Sequence, residues 1–260
     1  MPTLHLMGAG FFCLAGCDIF KYMVKNNHKG KLIVLEGLDG SGKSTQCKLL
    51  IKGLKKEGYK VETIDFPRHG EKPAWLVDEY LRGRYGTAKE VGPYRASIFY
   101  ALDRYDAGSQ IRKWLKEGKI VIADRYSASN IGHQGGKIKN RKERKRYFDW
   151  LYNLEYEILN IPKPDYNFIL KTSPEFSLRL ANKITDKEKQ ARRRVYLDKS
   201  EKKDIHEKDK KHLQEALRSY LHAAREFPED FKIIECLEKG KLLSPETIHQ
   251  KIWKIIKNIL

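Results

Sequence analysis

The sequence predicts an α/β fold, a doubly wound sheet of five parallel strands with helices on both faces. Three observations predict it. Five short apolar runs alternate with longer amphipathic segments. Two of the runs, LIVL and IVIA, are continuously apolar, as strands buried on both faces are. A complete glycine-rich phosphate-loop pattern sits between the first run and the first helical segment.

Residues 32–35 (LIVL) read as the first strand, closed by a glycine turn. Residues 44–57 read as a helix with Leu49, Leu50 and Leu54 on one face and Gly58 as its stop. Residues 60–64 form the second strand, ending at Asp65-Phe66-Pro67-Arg68, and 73–81 a short helix. A long helix is expected over 93–117, with Pro93 suited to the first turn and Gly118 ending it. Residues 120–123 (IVIA) form the third strand, followed at once by Asp124 and Arg125. A basic amphipathic helix is expected over 141–159 and a fourth strand over 166–170. Ser173-Pro174-Glu175 starts a helix, with serine as cap, proline at the first position and an acid near the positive end. Residues 184–203 have weak periodicity and many charges and are expected to be a mobile surface segment. A helix follows over 210–227, a fifth strand over 231–235, and Ser244-Pro245-Glu246 opens a last helix running to Leu260.

The bulk numbers agree. The chain of 260 residues is 40% hydrophobic and 33% charged, long enough for a large core and free of any apolar run of membrane-spanning length. The formal net charge is +18, densest over 137–146 and 183–211. Such a field attracts polyanions, but no nucleic-acid reader motif accompanies it. Cys13, Cys17, Cys47 and Cys236 form neither a zinc-ligand pattern nor a disulfide framework, so a cytoplasmic location is expected. Residues 1–22 are read as an extension outside the fold. A misassigned start, with translation from Met23, is the preferred reading; a disordered tail and an export signal are the alternatives. Residues 23–260 are expected to form one domain.

Gly37-Leu38-Asp39-Gly40-Ser41-Gly42-Lys43-Ser44 matches G-x-x-x-x-G-K-[ST] without exception. The glycines let the backbone curl so that successive N–H groups face a phosphate, and the following helix N-terminus adds to the field. Gly37 to Thr45 are therefore the candidate ATP site, with Lys43 on the β- and γ-phosphates and the Ser44 hydroxyl on Mg²⁺. Asp124, closing an apolar strand, is a candidate to hold Mg²⁺ or its water shell.

Six pieces narrow the reaction: LEGLDGSGKSTQ (35–46), DFPRHG (65–70), YALDR (100–104), ADRYSASN (123–130), PKPD (162–165) and DIHE (204–207). With all of them in order, the chain from Lys31 onward resembles the thymidylate kinases, a family of P-loop nucleoside-monophosphate kinases. The resemblance implies transfer of the γ-phosphate of ATP to dTMP with Mg²⁺, a homodimer, and a mobile lid over about 184–207. It implies that Asp39 lies near the acceptor phosphate and its magnesium, that Phe66 and Pro67 wall the acceptor pocket, and that Arg68 binds the acceptor phosphate. Tyr100 would stack on thymine, Arg104 would hydrogen-bond the base edge, Arg125 would bridge the two phosphates, Asn130 would contact the nucleotide, and Asp204 and Glu207 would stand near the sugar.

The chemistry is consistent with these roles. A pyrimidine needs an aromatic face and a fork of donors, and phosphoryl transfer spreads charge that arginines stabilise. The acceptor is itself anionic, so no general base is required. Two positions depart from the family. His133 stands where many members carry a tyrosine beside the sugar 2′ position; if it fills that space, 2′-hydroxyl exclusion is kept. Gly40 stands where some members carry a loop arginine, so the missing charge is expected from Arg192, Arg193 and Arg194. The alternatives are a kinase for another nucleoside monophosphate or a deoxynucleoside, and a nucleic-acid-binding P-loop ATPase using the two basic tracts.

Overall fold

In the first strand, β1 (Lys31–Gly37), Ile33 and Leu35 face one side of a sheet while Leu32 and Val34 face the other, and all four are wholly buried. The computed structural model describes residues 29–181 and 210–260. The extension 1–22, the segment 184–207 and the site candidates within it lie outside those residues.

The remaining strands are β2 (Val61–Asp65), β3 (Ile120–Asp124), β4 (Tyr166–Lys171) and β5 (Phe231–Glu235). They pair in the order β2-β3-β1-β4-β5, all parallel, with Leu35 opposite Asp124 and Asp65 opposite Asp124 in the registers around β3. The three motif-bearing strands β2, β3 and β1 are therefore neighbours, and their carboxyl ends open at one edge of the sheet.

On one face pack α1 (Lys43–Lys56), through Leu50 and Leu54, and the last helix α8 (Pro245–Ile256), through Ile248, Ile252 and Ile256. On the other, α3 (Ala88–Lys116) lays Ala107, Ile111 and Leu115 against Leu32, Val34, Val121 and Ala123. Each such fully buried aliphatic side chain contributes about 1.5–3 kcal/mol of transfer free energy. A further cluster joins α4 (Ser127–His133), α5 (Arg141–Tyr152) and α7 (Lys210–Glu226) around Tyr147, Phe148 and Tyr220. The helices α2 (Trp75–Leu81) and α6 (Pro174–Ala181) complete the set among the described residues.

The expected caps are present. Ser173 Oγ accepts from the Phe176 N–H, and Ser244 Oγ from the Thr247 N–H. The long helix breaks at Gly92 (φ 74°, ψ 170°) and resumes at Pro93, with a short preceding turn capped by Thr87 and Glu90.

Three expectations need correction, and two elements were not expected. The helix expected over 141–159 is α-helical only to Tyr152 and continues as a π-helical turn, Asn153–Ile158. That wider turn carries Glu155 inward to a buried arginine. The short helix expected from Pro73 opens as a 3₁₀ turn, Lys72–Ala74. The last helix stops at Ile256 rather than Leu260. Helix α4 was not expected, because SASNIGHQGGK is rich in serine and glycine, and packing against α7 overrides that propensity. The small hairpin Leu237–Glu238 with Lys241–Leu242 was not expected either.

Candidate active site

The loop after β1 turns through Gly40 (φ 79°) and Gly42 (φ 92°), a conformation glycine adopts without strain. Gly37 is confined as well, since a Cβ there would meet the Leu170 carbonyl at 2.8 Å and Ser41 Oγ at 2.9 Å. Leu38 anchors the loop from below, buried against Leu213 and Ala216 of α7. Lys43 is buried, and its ammonium donates to the Gly37 and Leu38 carbonyls at 3.1 and 2.8 Å. Ser41 Oγ is buried and has no hydrogen-bond partner among the described residues. Ser44 is partly exposed and Thr45 exposed at the start of α1.

Arg125 follows β3 with φ 73°, in the left-handed region that costs a non-glycine residue of order 1–3 kcal/mol. Its neighbours hold it there. Arg125 N–H donates to the Leu35 carbonyl at 3.0 Å, and the next N–H, of Tyr126, donates to Glu36 Oε1 at 2.8 Å. Glu36 is wholly buried and also accepts from the Ser129 and Tyr220 hydroxyls at 2.7 and 2.9 Å. Burial raises its pKa, against the lowering effect of Arg125 and these donors.

The Arg125 guanidinium donates to Asp39 Oδ1, to Ser129 Oγ at 3.3 Å and to His133 Nε2 at 3.2 Å. Burial pushes the Asp39 carboxyl up, but Arg125, then Lys43 and His133, outweigh it and hold it well below the usual range. Asp39 remains 43% exposed, so solvent screens this pairing. His133 continues to α7, its Nδ1 3.3 Å from His212 Nε2 and the two rings stacked at 5.5 Å. The structure thus brings Asp39, Lys43, Arg125 and His133 into one network. Asp124 is half-buried at the end of β3, directly beside Arg125.

A second wall adjoins the first. Phe66, joined to Pro67 by a cis peptide bond, is buried with its ring 5.4 Å from Tyr126. Arg68 is clamped: its N–H and Nε donate to the Asp103 carboxylate at 2.9 and 2.8 Å, and Nη2 donates to Asp106 at 2.8 Å. Glu71 lies 3.4 Å away. Asp106 and Glu71 are mostly exposed, while Asp103 is buried.

Arg104 is 1% exposed and forks onto Glu155, with Nε donating at 2.7 Å and Nη2 at 2.5 Å. Burial disfavours its charge, and Glu155 more than restores it. Its guanidinium lies 6.0 Å from the centre of the Tyr126 ring. Asn130 Nδ2 donates to the Ser97 carbonyl at 3.2 Å and to Glu155 Oε1 at 3.4 Å. Tyr100 lies one turn before Arg104, half-buried, its ring edge-on to Tyr80 at 6.3 Å.

Arg192, Arg193, Arg194, Asp204 and Glu207 lie outside the described residues. Four contributors were not singled out from the sequence: Glu36, Asp103, Glu155 and Tyr220. Glu36 carried a signal, a single acid inside an otherwise apolar strand. Glu155 carried none, since acids on a basic helix are ordinarily solvated.

The model of the thymidylate kinase family matches residues 35–250. The thymidylate kinase of Mycobacterium tuberculosis is 33% identical over 147 residues, covering 56% of this chain and 68% of that protein. A probable thymidylate kinase of Methanosarcina barkeri is 29% identical over 232 residues, covering 89% and 98%. The solved thymidylate kinase of Candida albicans superposes with a TM-score of 0.61 at 24% identity, over 88% of this chain and 92% of that one, which is a likeness of fold.

Proposed function

Since this chain belongs to the thymidylate kinase family, we propose how the residues around its phosphate loop carry the family's reaction. The protein transfers the γ-phosphate of ATP to dTMP, giving ADP and dTDP. An oxygen of the dTMP phosphate attacks the γ-phosphorus while the bond to the β–γ bridging oxygen breaks and ADP leaves with that electron pair. The nucleophile is already anionic, so no protein base has to remove a proton.

The observation that carries the assignment of roles is the adjacency of two polar centres. One is the Asp39–Arg125 pair beside the Lys43 cradle; the other is the Arg104–Asn130 wall. Gly37 to Thr45 bind ATP, and Lys43 exchanges its two loop carbonyls for the β- and γ-phosphates. Arg125, on a backbone fixed by Glu36, spans donor and acceptor phosphates, and Asp39 sets its orientation. Arg68 binds the acceptor phosphate, Phe66 and Pro67 wall the pocket, and Tyr100 stacks on the base. His133 stands beside the sugar. From the sequence, Asp204 and Glu207 are assigned to the sugar, and Arg192, Arg193 and Arg194 to the charge that Gly40 omits.

Mg²⁺ fits the donor set. The Ser44 hydroxyl in the first turn of α1 and the Asp124 carboxylate at the end of β3, beside β1, are hard oxygens, and this ion takes most of its ligands from phosphate and water. When bound it supplies neutralising charge to the phosphates.

A homodimer is supported by α3. Tyr94, Ile98, Leu102 and Tyr105 recur at helical spacing and all are exposed, the apolar stripe a second copy would cover. Among the described residues no helix is long and apolar enough to cross a membrane. The buried thiols Cys47 and Cys236 suit a reducing cytoplasm.

The test is ADP release with dTMP, dUMP, dCMP, UMP and thymidine as acceptors. Turnover is expected with dTMP above the others. ATP binding without turnover on any monophosphate would overturn the reading.

A further inference from the structure

The base-reading wall is built on a carboxylate that touches no substrate. Glu155 is wholly buried in the π-helical turn 153–158, and its carbonyl is capped by the Ile161 N–H at 2.8 Å. Its two oxygens accept from three donors. Oε2 takes Arg104 Nε at 2.7 Å; Oε1 takes Arg104 Nη2 at 2.5 Å and Asn130 Nδ2 at 3.4 Å.

Each contact has a polarity that chemistry decides. A carboxylate and a backbone carbonyl only accept, so the Asn130 atom facing both Glu155 and Ser97 must be the amide nitrogen. The amide oxygen is then turned to the opposite side. The same fork occupies Nε and Nη2 of Arg104 and leaves Nη1, a donor, outside it. One buried carboxylate thereby fixes which atom of each side chain it leaves outside: an acceptor, Asn130 Oδ1, and a donor, Arg104 Nη1.

We propose that Glu155 is a specificity-determining positioning residue that sets the hydrogen-bond polarity of the base-reading wall, so that it accepts a pyrimidine with a donor at N3 and an acceptor at C4 and rejects the inverse. Thymine and uracil present N3–H and O4; cytosine presents a bare N3 and an amino group. The inference rests on the assignment of Arg104 and Asn130 to the base. A pocket built to hydrogen-bond one edge rejects the inverted edge strongly, because buried groups are left facing like groups.

Glu155→Gln keeps the volume but replaces one acceptor oxygen with an NH₂ donor, which must then face Arg104 or Asn130. A donor opposite Asn130 favours the flipped amide, with its nitrogen toward the base. The measurement is kcat/KM for dTMP, dCMP and dUMP in wild type and variant, with thermal unfolding alongside. The dTMP:dCMP ratio is expected to fall by roughly tenfold or more, carried mainly by KM, while dTMP:dUMP stays unchanged, since the 5-methyl group is not read by this wall. A merely structural role would scale all three acceptors together, and an unchanged dTMP:dCMP ratio overturns the proposal. If Glu155→Gln does not fold, Glu155→Asp retracts the carboxylate by one methylene and is read by the same ratio. Wild-type turnover on dTMP tests the parent assignment separately: if it is absent, that reading fails, whereas an unmoved ratio in an active enzyme sinks only the role of Glu155.

Discussion

One methyl group at Gly132 is expected to damage both the fold and the site. A Cβ there would lie 2.1 Å from Cε2 and 2.3 Å from Cζ of Tyr220. Carbon atoms settle at about 3.5–4.0 Å, so the ring must retreat by about 1.5 Å. Tyr220 is wholly buried on α7, and its hydroxyl donates to Glu36 at 2.9 Å. A shift of that size breaks the hydrogen bond. Overpacking a close-packed interior costs about 1–3 kcal/mol, and losing a hydrogen bond to a charged group costs about 1.5–3 kcal/mol. Gly132→Ala should therefore lose about 2.5–6 kcal/mol in urea titration, out of a total of about 5–15 kcal/mol for a typical domain. Tyr220→Phe, which removes only the hydroxyl, should lose the smaller, hydrogen-bond share. Both should slow turnover, because Glu36 also holds the Tyr126 N–H that keeps Arg125 in place. If Gly132→Ala unfolds within 0.5 kcal/mol of wild type, or no more easily than Tyr220→Phe, the close approach of α4 to α7 is not what limits this position.

Three further outcomes are expected. Replacing Arg192, Arg193 and Arg194 together by alanine should lower turnover on the order of 10³ or more, and unchanged turnover would remove them from catalysis. Lys137, over the Tyr80 ring with its ammonium 2.9 Å from the Tyr80 hydroxyl, is pushed down to about 8 by burial. Between about pH 8 and its ordinary 10.5 the folded protein then holds fewer protons than the unfolded chain, so stability should rise with pH across that window. Lys137→Met should flatten this part of the slope, and a slope equal to that of wild type would refute the burial argument. Ile98→Asp, in the exposed stripe of α3, should yield monomers in sedimentation velocity; a dimer of wild-type stability would place the interface elsewhere.

Much of the sheet and of the phosphate cradle was legible because the signals there are local. Runs such as LIVL and IVIA have no reading but buried strand once glycines bound them, and the loop pattern constrains backbone and chemistry together. Ser173 and Ser244 are caps whose partners lie three residues on. What the sequence hid is non-local. Helix α4 has poor intrinsic propensity and exists because Gly132, Gly135 and Gly136 let it and the turn after it press on α7; a Cβ at Gly135 would meet Ser219 Oγ at 2.6 Å, and one at Gly136 the Ala216 nitrogen at 2.9 Å. Three glycines in five residues carried that signal, but glycine-rich runs ordinarily mark loops. The conversion of α5 to a π-helical turn was not legible at all. Its cause is a partner 51 positions away, Arg104, and nothing in NLEYEI announces it.

The two hidden acids, Glu36 and Glu155, solve one physical problem at two places. An arginine that must meet a substrate cannot be held only by groups the substrate displaces. Arg125 is paired with Asp39 of the phosphate loop, which is 43% exposed, so that contact can be exchanged. Its backbone, in a conformation that costs energy, is instead fixed from beneath by Glu36, which solvent does not reach. Arg104 is held from beneath by Glu155 in the same manner, with one edge of its guanidinium left outside the fork. Arg68 follows the pattern again, with Asp103 buried behind it and Asp106 and Glu71 exposed in front. In each case a buried carboxylate offsets the cost of burying the cation and helps fix its position, and the exposed contacts of Arg125 and Arg68 are the weaker ones in water. The division explains why a motif search finds the arginines and misses their supports: in the proposed reaction the arginines answer to the substrate, the carboxylates only to this particular fold.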